Sequence, residues 1–328
     1  MQHQTWKITW RIAPWAWILV SLLVQPCLGS EDPSRYPSKP ITMVVQYGAG
    51  GINDLTGRKL AELAGKTLGE PIVVVNKVGG GAVLGTTAIA HAEPDGYIIG
   101  LVSRSAFAIV PHLRSVPFKT KEDFTWIMQF GESCEIFCVR ADARWKTFKQ
   151  LIEEARNNPG KLNYASASPL SGQHILMEYV FSQEKVRLNH VPVSGGAEVI
   201  TKLLGGHIDA GISTDMGPHV KSGKFRGLAV QGKKLTQFPD IPTLMELGYH
   251  AEAFHWLGIN APKGLDPRIQ KKLYEAFKKA YDDVSFKELL ATLFITPIFR
   301  DSESFKAIVF QDYDAQGAIL RGLGFLKQ

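Results

Sequence analysis

The sequence has no run of five or six like charges. Its 37 lysines and arginines exceed its 31 aspartates and glutamates by six over 328 residues, and two of the lysines and arginines, Lys7 and Arg11, lie near the N-terminus. Proteins that bind nucleic acid gather basic residues on one face or along one helix. The thin spread of positive charge therefore predicts no nucleic-acid partner.

Motifs for catalysis, cofactors and metals are also missing. The sequence contains no G-x-S-x-G nucleophile motif and no H-E-x-x-H zinc motif, and its nine histidines lack the spacing of metal ligands. Gly48-Ala49-Gly50 imitates a dinucleotide-binding turn, but Asn53 stands where the third glycine is needed. The loops offer no nucleophile with its base and no paired acid and base. We therefore predict no catalytic residues, no cofactor and no metal.

Cysteine is scarce, with three residues in the chain. Cys134 and Cys138 lie in an apolar, strand-like segment, which would place their Cα atoms about 13 Å apart. A disulfide needs roughly 4.4–6.8 Å between the Cα atoms, so we expect two buried free thiols. A disulfide remains the alternative if this segment is a loop or a helix.

No apolar run reaches the ~20 residues that cross a bilayer. The run from Trp15 to Val24 follows Lys7 and Arg11 and precedes the small residue Gly29. This order of features is typical of a Sec-type signal peptide, here residues 1–29, and it predicts cleavage and a periplasmic protein. An uncleaved membrane anchor is the alternative interpretation.

Beyond this segment the chain alternates between strand and helix patterns. We predict strands at 41–47, 72–76, 97–102, 136–140, 162–165, 188–193, 208–212, 227–230 and 256–261. Thr147 and Gln150 form a capping box, and Asp266 with Pro267 begins a late helix. Strands separated by helices predict mostly parallel sheets, and a length of about two ~150-residue domains predicts two α/β lobes.

Four loops between a strand and a helix are rich in glycine or serine. They are residues 46–54, 78–82, 164–174 and 192–197. Backbone N–H groups at a helix N-terminus favour an anion, and loops of two lobes facing one cleft could hold one anion from opposite sides. For each loop alone, a tight turn without a ligand is the alternative.

Short motifs follow one another along nearly the whole mature chain. They include Tyr36-Pro37-Ser38-Lys39-Pro40-Ile41, Ala49-Gly50-Gly51-Ile52-Asn53-Asp54, Pro94-Asp95-Gly96-Tyr97, Asn158-Pro159-Gly160-Lys161-Leu162-Asn163-Tyr164-Ala165-Ser166 and Leu203-Leu204-Gly205-Gly206-His207-Ile208-Asp209. In this order they resemble the extracytoplasmic solute receptors of tripartite tricarboxylate transporters, the Bug family.

The resemblance implies a two-lobed periplasmic binding protein of the Venus-flytrap type, with crossover strands between the lobes. Residues 36–137 and 254–328 would form the first lobe, and residues 138–253 the second. Such a receptor closes on a small organic acid and delivers it to membrane transporter subunits. We also expect a monomer.

The resemblance further implies that backbone N–H groups and waters hold one ligand carboxylate. The segments concerned are residues 47–54, 103–107, 166–172 and 195–197. The ligand-binding residues carried over are Tyr47, Gly48, Ala49, Gly50, Gly51, Asn53, Asp54, Ser103, Arg104, Ser105, Ser166, Ser168, Ser171, Gly172, Gly195, Gly196 and Ala197.

Five side chains near these loops keep more than one interpretation. Arg104 could bind a second carboxylate or be an exposed arginine. Asp54 could cap its helix, which we favour, or it could orient a loop amide or meet a ligand ammonium. Trp256 and Phe254 could line the bottom of the cleft against an aromatic ligand or belong to the core. Asp215 has no alignable position in the family pattern, because its segment looks two residues short.

The sequence therefore predicts a non-enzymatic receptor for a small carboxylate. One alternative is a receptor that passes its ligand to a signalling partner. Another is a cleft enzyme acting on a carboxylate or a nucleotide.

Overall fold

The computed structural model describes residues 32–102, 104–169, 171–249 and 255–322. The predicted signal peptide, Ser103 and Phe254 lie outside these ranges. Within them, none of the helices combines the length and the apolar character that a bilayer crossing requires.

Strands and helices alternate through the described residues. The strands are β1 (Ile41–Val45), β2 (Ile72–Asn76), β3 (Ile98–Leu101), β4 (Phe124–Ser133), β5 (Glu135–Arg140), β6 (Asn163–Ser166), β7 (Asn189–His190), β8 (Ala210–Ser213), β9 (Phe225–Gln231), β10 (His255–Pro262) and β11 (Thr296–Arg300). The helices are α1 (Ile52–Leu68), α2 (Val83–Ala90), α3 (Val110–Leu113), α4 (Phe148–Asn157), α5 (Gly172–Gln183), α6 (Gly196–Leu204), α7 (Gly217–Lys221), α8 (Pro267–Asp282), α9 (Val284–Thr292) and α10 (Ser302–Gly322). The sequence predicted each of these strands except β4 and β11.

The first lobe is built on a sheet with strand order β11-β4-β10-β3-β1-β2. Strand β1 pairs in parallel with β2 and β3, whereas β10 and β11 pair antiparallel with their neighbours. Helices α1 and α8 pack together and bury their apolar faces in the core of this lobe. Gly57 lets α1 approach the sheet closely, because a Cβ atom there would lie 2.9 Å from Leu101 Cδ1.

The second lobe is built on a sheet with strand order β7-β6-β8-β5-β9. Strand β6 pairs in parallel with β7 and β8, and β5 pairs antiparallel with β8 and β9. Helix α4 packs its buried face on this sheet through Phe148, which contacts Phe137 edge-on. The predicted capping box is confirmed, since Thr147 Oγ1 accepts a hydrogen bond from the Gln150 N–H.

Both sheets are mixed, which differs from the prediction of mostly parallel sheets. The difference comes from the strands that pass between the lobes: β4 leads into β5, and β10 returns the chain to the first sheet. Strands β5 and β10 each enter their sheet from the other lobe and run antiparallel to their neighbours. Cys134 and Cys138 lie on this passage as free thiols, as predicted, although Cys134 is only partly buried. The predicted boundaries between the lobes, after residues 137 and 253, stay predictions.

Candidate ligand-binding cleft

The cleft between the lobes contains a small polar cavity at which several helices begin. The first residues of α1, α5 and α6 face it. Its lining consists of Tyr47, Gly48, Gly51, Ile52, Asn53, Ser105, Ala167, Gln173, Gly196, Thr214, Asp215 and His255. The cavity has a volume of about 20 Å³, which is room for roughly one water molecule. The structure is therefore a closed form of the cleft.

Direct hydrogen bonds join the two lobes around this cavity. The Gly48 N–H donates to the Ser194 carbonyl at 3.2 Å. The Gly172 N–H donates to Ser105 Oγ, also at 3.2 Å. These bonds connect residues of three of the predicted loops, so the structure brings the loops together as expected.

The loop before α1 is shaped by Gly50 and Asp54. Gly50 has a φ of +84°, a left-handed conformation that glycine adopts without strain. Its N–H donates to Asp54 Oδ2 at 2.9 Å. Asp54 also pairs with Arg58 and accepts a hydrogen bond from Asn76. Burial alone would raise the pKa of Asp54, but these bonds hold it below its usual value.

Our preferred interpretation of Asp54 as a helix cap is wrong. The N-cap of α1 is Gly51, which has no side chain to accept a hydrogen bond. Asp54 instead lies in the first turn and reaches back to the loop, which is the orienting role given as the alternative. Its carboxylate is held by Arg58 on its outer side, so it does not face the cavity.

Asp215 is the carboxylate that does face the cavity. It accepts a hydrogen bond from the Ile52 N–H of the other lobe at 2.6 Å and one from Ser213 Oγ at 2.7 Å. Desolvation raises the pKa of Asp215, against the lowering effect of hydrogen bonds from Ser213, Ile52 and Thr214. Asp215, which could not be aligned with the family pattern, thus accepts a hydrogen bond at the N-terminus of α1.

Two glycines leave space for this carboxylate. A Cβ atom on Gly196 would lie 1.8 Å from Asp215 Oδ2, and one on Gly51 would lie 3.4 Å from Asp215 Oδ1. Real Cβ atoms do not approach another heavy atom as closely as the first of these distances. Gly196 is therefore needed for the present position of Asp215.

The serine loop before α5 has two kinds of hydroxyl. Ser171 is the N-cap of α5 and accepts from the His174 N–H. Ser168 Oγ is buried without a hydrogen-bond partner among the described residues. Ser171 therefore has a structural role, and Ser168 keeps a free hydroxyl close to the cleft loops.

Ser166 and His190 form a pair that imitates a nucleophile and its base. Ser166 Oγ lies 2.9 Å from His190 Nε2. Burial, with a smaller contribution from His174, lowers the pKa of His190 to about 4, which makes it a weak base. Ser166 is fully buried and also donates to the Ser168 carbonyl at 3.1 Å. The pair therefore stabilises the loop and does not form an active site.

Arg104 is buried and is not the exposed arginine of one interpretation, whereas its binding of a second ligand carboxylate stays a prediction. Its side chain is 6% exposed, and it binds Asp312 of α10 through two nitrogens, with Nε at 2.6 Å from Oδ2 and Nη2 at 2.9 Å from Oδ1. The Trp256 indole N–H donates to the same carboxylate at 2.9 Å. Trp256 is fully buried against Phe305, so it belongs to the core, which confirms the second of its two interpretations.

A cluster of polar side chains lies where the strands pass between the lobes. We call Arg104, Glu135, Gln173, His255 and Asp312 the hinge-side cluster. Gln173 donates to Glu135 Oε1 at 3.2 Å. Burial raises the pKa of Glu135 to about 7 and lowers that of His255 to about 4. Sequence reasoning did not single out Glu135, Gln173 or His255. The one signal for Glu135 and His255 was a polar residue at the start of an apolar strand, and Gln173 lay at the end of the predicted loop 164–174.

The predicted site residues divide into those that line the cavity and those that support it. Those lining it are Tyr47, Gly48, Gly51, Asn53, Ser105 and Gly196. Those around it are Ala49, Gly50, Asp54, Arg104, Ser166, Ser168, Ser171, Gly172, Gly195 and Ala197. Ala49 and Gly50 are exposed at the cleft entrance. Ligand contact by any of them stays a prediction.

Comparison with known proteins gives matches along most of the chain. Residues 56–325 match the model of the tripartite tricarboxylate transporter family receptor. The chain is 34% identical over 310 residues to the UPF0065 protein in the gbd 5' region of Cupriavidus necator, covering 94% of each chain. It is 30% identical over 298 residues to protein BugT of Bordetella pertussis, covering 88% of this chain and 90% of BugT.

A solved structure with a similar fold is that of the periplasmic binding protein BugD. It is 31% identical to this chain, with a TM-score of 0.83, and the match covers 89% of this chain and 100% of BugD. The predicted two-lobed α/β binding-protein fold is confirmed by this match.

Proposed function

Because this chain belongs to the tripartite tricarboxylate transporter receptor family, whose members are periplasmic solute receptors and not enzymes, we propose that it binds a small organic carboxylate in the interlobe cleft. We further propose that it is exported by its N-terminal signal peptide and delivers the ligand, as a monomer, to the membrane subunits of a tripartite-type transporter. The family description supports the transporter as partner.

The convergence of three helix N-termini on one cavity carries this proposal. Helices α1, α5 and α6 have 17, 12 and 9 residues and begin at its wall. Each helix N-terminus carries roughly half a positive charge and unpaired N–H groups. The Asp215 carboxylate already lies on one of them, at 2.6 Å from the Ile52 nitrogen. The cavity thus has the electrostatics that stabilise a carboxylate.

One free donor from each lobe remains at the cavity. Within the described residues, the backbone N–H groups of Asn53 and Gly196 have no hydrogen-bond acceptor. Asn53 follows Ile52 in the first turn of α1, and Gly196 is the first residue of α6. A ligand carboxylate between them would satisfy both donors and join the lobes.

Closure of the lobes explains how such a receptor can signal that it is loaded. The bonds from Gly48 to Ser194 and from Gly172 to Ser105 form only when the lobes meet. A ligand that bridges Asn53 and Gly196 adds to these bonds and stabilises the closed form. Transporter subunits that bind the closed form would then take up loaded receptor selectively.

Native mass spectrometry of freshly isolated protein, followed by calorimetry, tests the proposal. We expect a bound small organic acid, and an affinity that Gly196→Ala lowers by at least about tenfold, since its Cβ atom would displace Asp215 and fill the cavity. Gly322→Ala is the matched control, because a Cβ atom there meets no atom within 4 Å. Absence of binding to a panel of mono-, di- and tricarboxylates and amino acids would contradict the proposal.

A further inference from the structure

Phe294 has a large side chain on a backbone conformation that favours glycine. It follows the C-terminus of α9 and has a φ of +59°. The Phe294 N–H donates to the Ala291 carbonyl and the Ile295 N–H donates to the Leu290 carbonyl, which is the pattern of a Schellman helix end. Glycine is the usual residue at this position, and a bulky side chain there is strained. A strained residue of this kind points to a function of its side chain.

The ring of Phe294 contacts the other lobe. Its neighbours Leu293 and Ile295 are buried in the core of the first lobe and fix its position there. The ring stacks on that of Phe238, which packs on the core of the second lobe, with the centroids 5.0 Å apart and an interplanar angle of 25°. The Lys221 ammonium of the second lobe lies 5.8 Å from the centroid of the Phe294 ring. Phe294 therefore makes an aromatic contact between the lobes.

Gly217 provides the space that the ring occupies. It is buried and is the first residue of α7 in the second lobe. A Cβ atom there would lie 2.8 Å from Phe294 Cδ2 and Cγ, closer than real Cβ atoms approach another heavy atom. The backbone of Gly217 is helical, with φ of −50° and ψ of −52°, so its conformation does not require glycine. The absence of a side chain at this position thus serves the contact with Phe294.

The segment of the second lobe that contacts Phe294 also carries Asp215. The single 3-10 turn Thr214–Met216 leads directly into α7. Asp215 in this turn accepts the hydrogen bond from the Ile52 N–H at the cavity. The segment therefore meets the first lobe at two points, a polar one at the cavity and an apolar one, between Gly217 and Phe294, outside the cavity lining.

On the basis of the proposed function, in which the lobes close on a ligand, we propose that Phe294 is a positioning residue that latches the lobes in the closed form. It lies outside the lining of the cavity and acts through the segment that carries Asp215. Its strained backbone belongs to the first lobe in the open and the closed form, whereas its contacts with Phe238 and Gly217 exist only when the lobes meet. The ring therefore shifts the equilibrium towards closure and slows the opening that releases the ligand.

Two variants remove the latch from opposite lobes while favouring the local backbone. Phe294→Gly removes the ring and relieves the left-handed strain. Gly217→Ala places a methyl group against the ring, at a helical position where alanine is the better helix former. We expect both variants to fold for this reason. Lys185→Gly is the matched control, because Lys185 is an exposed residue with a φ of +54° at a helix end of the same kind, after α5.

A disulfide across the cleft entrance measures closure without any ligand. A Cβ atom on Gly50 would lie 3.9 Å from Ala197 Cβ of the other lobe, within the range of about 3.5–4.5 Å that a disulfide spans. With Gly50→Cys and Ala197→Cys in every protein, oxidised glutathione is reduced as it traps the closed form, and mass spectrometry of the cross-linked peptides gives the rate. We expect Phe294→Gly and Gly217→Ala to slow trapping about three- to tenfold and Lys185→Gly to leave it unchanged. Equal rates in all four proteins would overturn the latch.

Calorimetry then separates the latch from the proposed function. The wild type and the same variants, without the cysteine pair, are titrated with the panel of mono-, di- and tricarboxylates and amino acids. An acid that binds the wild type should bind Phe294→Gly and Gly217→Ala about three- to tenfold more weakly. Slowed trapping with no acid bound by any of the proteins would contradict the proposed function and leave the latch standing. Unchanged trapping, with an acid bound equally well by all of them, would overturn the latch and leave the proposed function standing.

Discussion

The cleft is bordered by two regions that are built differently. One region is a main-chain wall, residues 48–53 of one lobe and 195–197 of the other, in which backbone N–H groups at helix ends face the cavity. The other region is the hinge-side cluster, in which long side chains from distant segments are buried together. We propose that the wall can bind an anion of almost any kind and that the side chains around it select which one.

The largest effect in this comparison is expected from breaking the buried ion pair of the hinge-side cluster. Arg104→Ala leaves the Asp312 carboxylate buried without its cation, with only the Trp256 indole N–H still donating to it, and should lower the free energy of unfolding by about 3–5 kcal/mol, as measured by urea denaturation. Lys121→Ala, which removes an exposed ion pair with Asp314, should cost no more than ~1 kcal/mol. Equal losses in the two variants would show that the buried pair has no special role.

A smaller effect is expected from Glu135, which should make the free energy of unfolding depend on pH. Its pKa of about 7 in the folded protein lies above the ordinary 4.5, so the folded state binds more protons than the unfolded state between these values. Its contribution to the free energy of unfolding is therefore complete below pH 4.5 and is lost as the pH rises to about 7.

The variant Glu135→Gln removes this dependence. The difference in the free energy of unfolding between wild type and variant should fall by about 3 kcal/mol between pH 4.5 and pH 7.5, measured by urea denaturation across that range. The exposed Glu93→Gln is the control. A pH-independent difference for Glu135→Gln would mean that Glu135 keeps an ordinary pKa.

The smallest effect is expected from removing one donor of the main-chain wall. Asn53→Pro deletes the backbone N–H, and proline is tolerated in the first turn of a helix, whereas Asn53→Ala deletes only the side chain. Calorimetry with the natural ligand should show Asn53→Pro binding at least about tenfold more weakly than Asn53→Ala. Equal affinities would remove this amide from the site.

The main-chain wall could be predicted from sequence because its features are local. Glycines before a helix start, as in residues 48–51, indicate both a tight turn and exposed N–H groups without knowledge of any distant residue. Repeated strand and helix patterns likewise located β1, β2 and the helix caps at Thr147 and Asp266. Strands β4 and β11 were missed because β4 is interrupted by Gly131 and β11 contains Pro297, which weaken a strand pattern.

The hinge-side cluster could not be predicted because its partners are far apart in the chain. Arg104 and Asp312 are separated by 208 residues, and Glu135 and Gln173 by 38. In the sequence each of these residues has the pattern of an exposed polar residue, and only the fold brings each pair together. Asp54 shows that prediction is limited at short range as well. Whether it caps the helix or orients the loop before α1 depends on its contacts with Arg58 and Asn76.

A crystal structure of the loaded protein tests the central claim most directly. It should show the ligand carboxylate between the lobes, with its oxygens about 3 Å from the backbone nitrogens of Asn53 and Gly196. A ligand bound elsewhere, or a carboxylate held mainly by a charged side chain such as Arg104, would contradict the claim that main-chain donors of two lobes hold the anion.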